Sequence, residues 1–136
     1  MDRDAGLLDW SSRALREDGI AALRPVLDTL GSHLAVLNLS ANELADAGAV
    51  ALAAALGASE ADVGTRLASL VLSRNGIGDA GGCALAVWLG SNRSLCELDL
   101  SENRVANRAA VALASAAAGH PRLAALSLLH LSLIHI

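Results

Sequence analysis

The chain has 136 residues, room for one domain, and its net charge of −4, with ten basic residues that form no cluster, argues against a nucleic-acid surface. Hydrophobic residues make up 54%, yet the charge-free runs 47–59 and 80–92 fall well short of the ~20 residues a membrane span needs, so they read as buried helices. The opening MDRDAGLLDW has neither a basic start nor a long apolar stretch, and Cys83 and Cys96 give no disulfide framework or metal spacing; a reducing, cytoplasmic compartment follows.

The first expected element is a short strand at Leu8 and Trp10, two residues apart and so on one side of an extended chain. Arg13 and Leu15 follow, then a helical pattern through Leu23 that should be kinked or shortened at Pro25 and stop at Gly31. The same order returns with Leu34, Leu37, Leu39, Asn42 and Leu44, and a helix carrying Leu52 and Leu56 up to Gly57. It returns again with Leu67, Leu70, Leu72, Asn75 and Ile77, and a helix carrying Leu85 and Leu89 up to Gly90. A fourth copy has Leu95, Leu98, Leu100, Asn103 and Val105, then Leu113, Gly119 and Pro121. A fifth begins at Leu123, Leu126 and Leu128, with Leu131 where the asparagine would stand.

Each copy reads L-x-x-L-x-L-x-x-N-x-[LIV] ahead of a helix, and the asparagines Asn42, Asn75 and Asn103 lie 33 and 28 residues apart. Leucines two apart point to one side of a strand and leucines four apart mark one helix face, so both sets close on one interior. The asparagine sits where the chain leaves the strand, and there its amide can satisfy backbone groups of its own and the neighbouring coil. Asp46, Asp79 and Asn107, in the column of Glu17, are expected to cap their own helices. Gly31, Gly57, Gly90 and Gly119 are expected as left-handed C-caps.

This pattern resembles the ribonuclease-inhibitor-like class of leucine-rich repeats, which includes the repeat domains of NOD-like immune receptors and Ran GTPase-activating proteins. The resemblance implies an α/β fold, a right-handed leucine-rich-repeat solenoid of about four strand-helix coils with a parallel concave sheet, and protein binding as its use. The coils fall near 5–33, 34–66, 67–94 and 95–122, with a fifth starting at 123, in a repeat domain of residues 1–130. Departures are Arg13 and Leu131 at the asparagine position, and Ala109 in the column of Gly19, Gly48 and Gly81.

A rival reading is a nucleotide-binding enzyme fragment. Gly76-Ile77-Gly78-Asp79-Ala80-Gly81 is a GxGxxG between a strand and a helix, and Asp99 follows about twenty residues later. Against it, Gly81 belongs to a repeat column and Asp99 shares one with Asp9 and Asn38, so repeat structure already accounts for both. Cys83 and Cys96 read as packing residues in a Leu/Ala interior, and His33 and His120 have no second ligand at a metal-like spacing. No catalytic residue and no cofactor are indicated.

The candidate site is therefore the outward strand columns and the turns after them: Asn38, Val71, Arg74, Glu97, Asp99 and Glu102, facing a protein partner. The serines Ser11, Ser40, Ser73 and Ser101 line the same face, and Arg74 and Glu102 on neighbouring coils should form a surface pair. The longer loop Gly57–Arg66 reads as a tolerated insertion. The last stretch, LSLIHI at 131–136, breaks with an all-arginine, Phe- and Tyr-free composition that fits GC-rich coding, and it looks like translated sequencing-adapter DNA. It reads as a non-native tail on a fragment of a larger intracellular repeat protein with a regulatory or sensing role.

Overall fold

Alternating leucines need only three residues to set a strand, and each copy contributes that many. The computed structural model describes residues 6–30, 34–58 and 67–127. Its elements are β1 (Leu7–Asp9), α1 (Arg16–Leu30), β2 (Val36–Asn38), α2 (Ala45–Ala58), β3 (Ser69–Val71), α3 (Asp79–Ser91), β4 (Glu97–Asp99), α4 (Asn107–Ala118) and β5 (Ala125–Ser127). The strands form one parallel sheet in chain order. Its register sets Leu8, Leu37, Leu70, Leu98 and Leu126 side by side, the column read from the sequence. Each helix packs on the next across the sheet.

Between sheet and helices lies one core. Leu37, Leu70, Leu98, Leu39, Leu72 and Leu100 enter it from the sheet side, and Leu23, Leu52, Leu85, Leu89 and Leu113 from the helices, all fully buried. Each contributes about 1.5–3 kcal/mol by leaving water. An exposed ion pair is worth about 0–1 kcal/mol, so the buried leucines outweigh the surface pairs.

The asparagines join the coils. Asn75 Nδ2 donates to the carbonyls of Leu39 (2.9 Å) and Leu72 (3.0 Å), and its Oδ1 accepts from the amide of Asn42 (2.8 Å). Asn42 does the same toward Trp10, Leu39 and the Arg13 amide, and Asn103 toward Leu72, Leu100 and the Asn75 amide. All three are buried, and among the described residues no buried side-chain nitrogen or oxygen lacks a partner.

Helix ends differ from the sequence expectation. Asp46 and Asp79 do not cap their own helices. Asp46 Oδ1 accepts from the amides of Gly78 (2.7 Å) and Gly81 (2.9 Å), and Asp79 Oδ1 from Ala106 (2.9 Å) and Ala109 (3.1 Å). Each aspartate caps the helix of the following coil, because stacked helices bring one first turn beside the next. Asn107 heads α4, which Asp79 caps from the preceding coil.

The glycines are not left-handed caps either. Gly57 and Gly90 lie inside the last turns of α2 and α3. Gly119 ends α4 at φ −94°, ψ 0°, and Gly31 is outside the described residues. After α3 the chain is held by Asn92, whose Oδ1 accepts from Ser94 (3.1 Å) and Leu95 (2.8 Å). A side chain does what a left-handed glycine would have done. Pro25 lies inside α1, which runs on to Leu30 and is not shortened.

The charge-free runs are buried on one side only: Val50 and Val87 are exposed, as is Val111 on α4. Cys83 packs partly buried against the core, whereas Cys96 is exposed and is not a packing residue. At position 96 the side chain leads into β4 from the outer side, beside buried Leu95.

The helix starts differ with the partner of the first amide. That of Ala45 donates to the Asn75 carbonyl (2.8 Å) and that of Arg16 to the Asn42 carbonyl (2.9 Å), whereas those of Gly78 and Ala106 donate to an aspartate. Gly78 and Ala106, which receive a carboxylate, are extended at φ −105° and −110°. Arg16 and Ala45, in the same column, are left-handed at φ 56° and 57°. The coil before Ala45 offers Glu17, one methylene longer than aspartate. A left-handed residue with a side chain costs about 1–2 kcal/mol. Glu17→Asp is therefore expected to raise stability by about 0.5–1 kcal/mol in chemical denaturation; no gain would give the left-handed start another cause.

In the same assay Leu98→Ala should lower stability by about 2–5 kcal/mol through its cavity. Asn75→Ala should lower it by about 1–3 kcal/mol through the backbone groups it strands. Arg74→Ala should stay within about 0.5 kcal/mol of the parent protein. An order with Arg74 above Asn75 would contradict the phase of the repeat.

Candidate functional site

Strand alternation sends the side chains beside each buried leucine to the open face of the sheet. Register then aligns them into rows: Asn38, Val71 and Asp99 are neighbours in one, and Val36, Ser69 and Glu97 in another. Arg74 and Glu102 leave the turns after β3 and β4 and meet at 3.3 Å, both well exposed. The six residues singled out from the sequence thus share one face.

The turns are fixed by the backbone. Ser12, Ala41, Arg74 and Glu102, each one before its repeat anchor, are all left-handed, at φ 56° to 59°. Their amides run along the stack: Ser12 donates to the Ser40 carbonyl (2.9 Å), Ala41 to Ser73 (2.9 Å) and Arg74 to Ser101 (3.2 Å). Such a conformation persists only where its surroundings over-determine it. Arg74 and Glu102 therefore project from a pre-set backbone.

The serines are not a free polar lining. Ser101 donates through its amide (2.9 Å) and hydroxyl (2.7 Å) to Asp99 Oδ1. Ser40 does the same to Asn38 Oδ1, and Ser11 to Asp9 Oδ1. The Ser11 hydroxyl, then its amide, hold the Asp9 carboxyl below its ordinary value; slight desolvation opposes them, and Arg13 adds to the lowering. Val71 interrupts this ladder, since it offers Ser73 no acceptor. Glu97 Oε1 accepts from the Ser69 hydroxyl at 3.0 Å. Among the described residues neither Glu97 nor Asp99 has a basic partner.

Two features escaped the sequence reading. Arg16 and Glu43 form a second surface pair at 3.3 Å; they stand in different columns of the repeat, 27 residues apart where the coil is 29, so the repeat pattern did not signal it. The second is an apolar groove of 530 Å³ between α2 and α3, with Val50, Ala54, Val87 and Trp88 in its lining and no charged residue among the described residues there. The lack of charge in those helices was visible, but it read as burial.

The glycine motif holds no vacant cradle. The Gly78 and Gly81 amides, which a pyrophosphate would take at a helix N-terminus, are occupied by Asp46 Oδ1. A carboxylate there also repels phosphate. Gly81 is a packing glycine: an added Cβ would lie 2.9 Å from Ala49 Cβ, Asp46 Oδ1 and Ile77 Cγ2. Gly76 is left-handed at φ 69°, in the column where Glu43 is left-handed too. Among the described residues no cluster of three or more His, Cys, Asp or Glu side chains could hold a metal, and no helix is long and apolar enough to cross a membrane. The 57–66 loop beyond Ala58, His33 and the 131–136 tail lie outside the described residues.

Comparison with known proteins agrees with this geometry. A family model described as a leucine rich repeat matches residues 32–53, 67–86 and 91–114. No curated protein matches the chain. Titration with a nicotinamide dinucleotide is expected to show no saturable binding at micromolar concentration. Binding that saturates and is lost in Gly78→Ala would overturn the assignment of those amides to Asp46.

Proposed function

We propose that this chain, an α/β leucine-rich-repeat solenoid and so a protein-protein interaction module, binds its partner on the open, concave face of the sheet, through Asn38, Val71, Arg74, Glu97, Asp99 and Glu102. One observation carries this reading: the six lie on adjacent coils of a single face whose turns are held by backbone bonds along the stack. A surface already ordered loses little conformational entropy on binding. Leucine-rich repeats are typically scaffolds for such contacts and not enzymes.

The finer reading is an intracellular repeat protein of the ribonuclease-inhibitor-like kind, with a regulatory or sensing role and a longer natural chain. A helix in each of the first four coils supports the subtype, and the reducing compartment rests on two cysteines at no framework spacing in the sequence. Leu131, which has no amide oxygen to continue the asparagine column, supports reading 131–136 as a non-native tail.

The test is a capture experiment with two variants. One carries Arg74→Ala, Glu97→Ala, Asp99→Asn and Glu102→Ala; the other carries Val50→Ser and Val87→Ser on the helix side. A partner held by the parent protein should bind the first at least about tenfold more weakly, a loss of ~1.4 kcal/mol. It should bind the second unchanged. The opposite pattern would move the site to the groove between α2 and α3.

A further inference from the structure

His120 follows α4 at Gly119 and stands 28 residues beyond Asn92, in the same place one coil later. It also takes over the work of Asn92. Where Asn92 Oδ1 collects the amides of Ser94 and Leu95, His120 Nδ1 collects those of Arg122 (3.0 Å) and Leu123 (3.0 Å). A nitrogen that accepts two N–H bonds must carry its lone pair, so the ring proton is on Nε2. Nε2 lies 3.1 Å from Asn92 Oδ1 and donates to it. The ring thereby joins one turn to the next, but only as the neutral Nε2 tautomer.

We propose that His120 is an acid-sensitive latch on β5: neutral, it fastens the turn that leads the chain onto the sheet, and protonated at Nδ1 it releases that turn. An imidazolium offers two donors and no acceptor. Protonation therefore turns the Arg122 and Leu123 amides from partners into groups facing an N–H. The released segment is the one that adds β5 to the edge of β4, through the Ala124 amide to the Cys96 carbonyl (2.9 Å) and the Leu100 amide to the Ser127 carbonyl (2.8 Å). Leu123 and Leu126 pack on the core from this segment. Since β4 carries Glu97 and Asp99, acid would strip the neighbouring strand from that side of the open face. The proposal itself needs no partner and stands apart from the assignment of that face.

The surroundings favour the neutral ring. Burial first, and the Arg93 guanidinium on the turn after α3 second, lower the His120 pKa from its ordinary 6.5. The last turn of α4 carries no basic residue, and on its own turn Arg122 meets the ring through its backbone amide. The carbonyls at the α4 C-terminus act the other way, since they favour a cation, and the net shift is downward. A histidine with a lowered folded-state value contributes stability that is complete above 6.5 and lost as pH falls through that lower value.

Amide hydrogen exchange on the whole chain, corrected for the intrinsic pH dependence of exchange, tests this. Between about pH 7.5 and about pH 5, protection of Arg122 and Leu123 should fall about tenfold or more in the parent protein. The Ile77 amide, on the Asn103 rung, should keep its protection. His120→Asn restores the side chain of the preceding coil and should hold both amides at either pH. His120→Ala should leave them unprotected at both. An equal pH response in parent and His120→Asn, protection retained in His120→Ala, or a loss that spreads to Ile77 would each overturn the latch.

Discussion

The carboxamides of Asn42, Asn75 and Asn103 are the bonds on which the rest of the structure depends. Each takes up backbone groups that a chain turning off a strand leaves without partners, and it does so across two coils. A stranded buried amide or carbonyl costs about 1–3 kcal/mol, several times an exposed Arg–Glu pair. Only a short side chain with an acceptor and a two-proton donor on one carbon fits the place. The leucine register, the left-handed turns and the common direction of the outward side chains follow from coils held at this spacing.

A second seam runs along the helix side. Asp46 and Asp79 reach forward to the next helix, while Gly81 and Ala109 keep the first turns close enough for them to do so. The two demands are linked, because a larger residue at 81 would meet both the Ala49 methyl and the capping carboxylate. This is why a glycine-rich segment between a strand and a helix imitates a phosphate loop here. The same physics serves both, amides at a helix N-terminus seeking negative charge, but here the charge comes from the protein.

Strand and helix positions, the parallel order and the buried columns were legible in the sequence, because side chains facing one core must repeat at the period of the coil. The open face was legible for the same reason in reverse: Asn38, Val71, Glu97 and Asp99 alternate with buried leucines. What the sequence hid were contacts between coils at right angles to that alternation. Asp46 sits at a good position to cap its own helix, and nothing local says that its oxygen goes to residues 32 and 35 places on. Helix stops were misread because Asn92 and His120 perform through side chains what glycine performs through φ. The charge-free helices looked buried because periodicity cannot tell an alanine in the core from one on the outside.

The two long surfaces that result differ in kind. The helix side is apolar along the groove of α2 and α3, where the described lining residues carry no charge. The open sheet is hydrogen-bonded within itself, since serines tie Asn38 and Asp99 and the turns beneath Arg74 and Glu102 are fixed. An apolar groove gains affinity from area and accepts many partners, whereas fixed carboxylates and a fixed guanidinium reject a partner whose charges are misplaced. Tying Asp99 through one oxygen orients it without neutralising it. The serine ladder thus holds Asn38 and Asp99 at set positions on the open face.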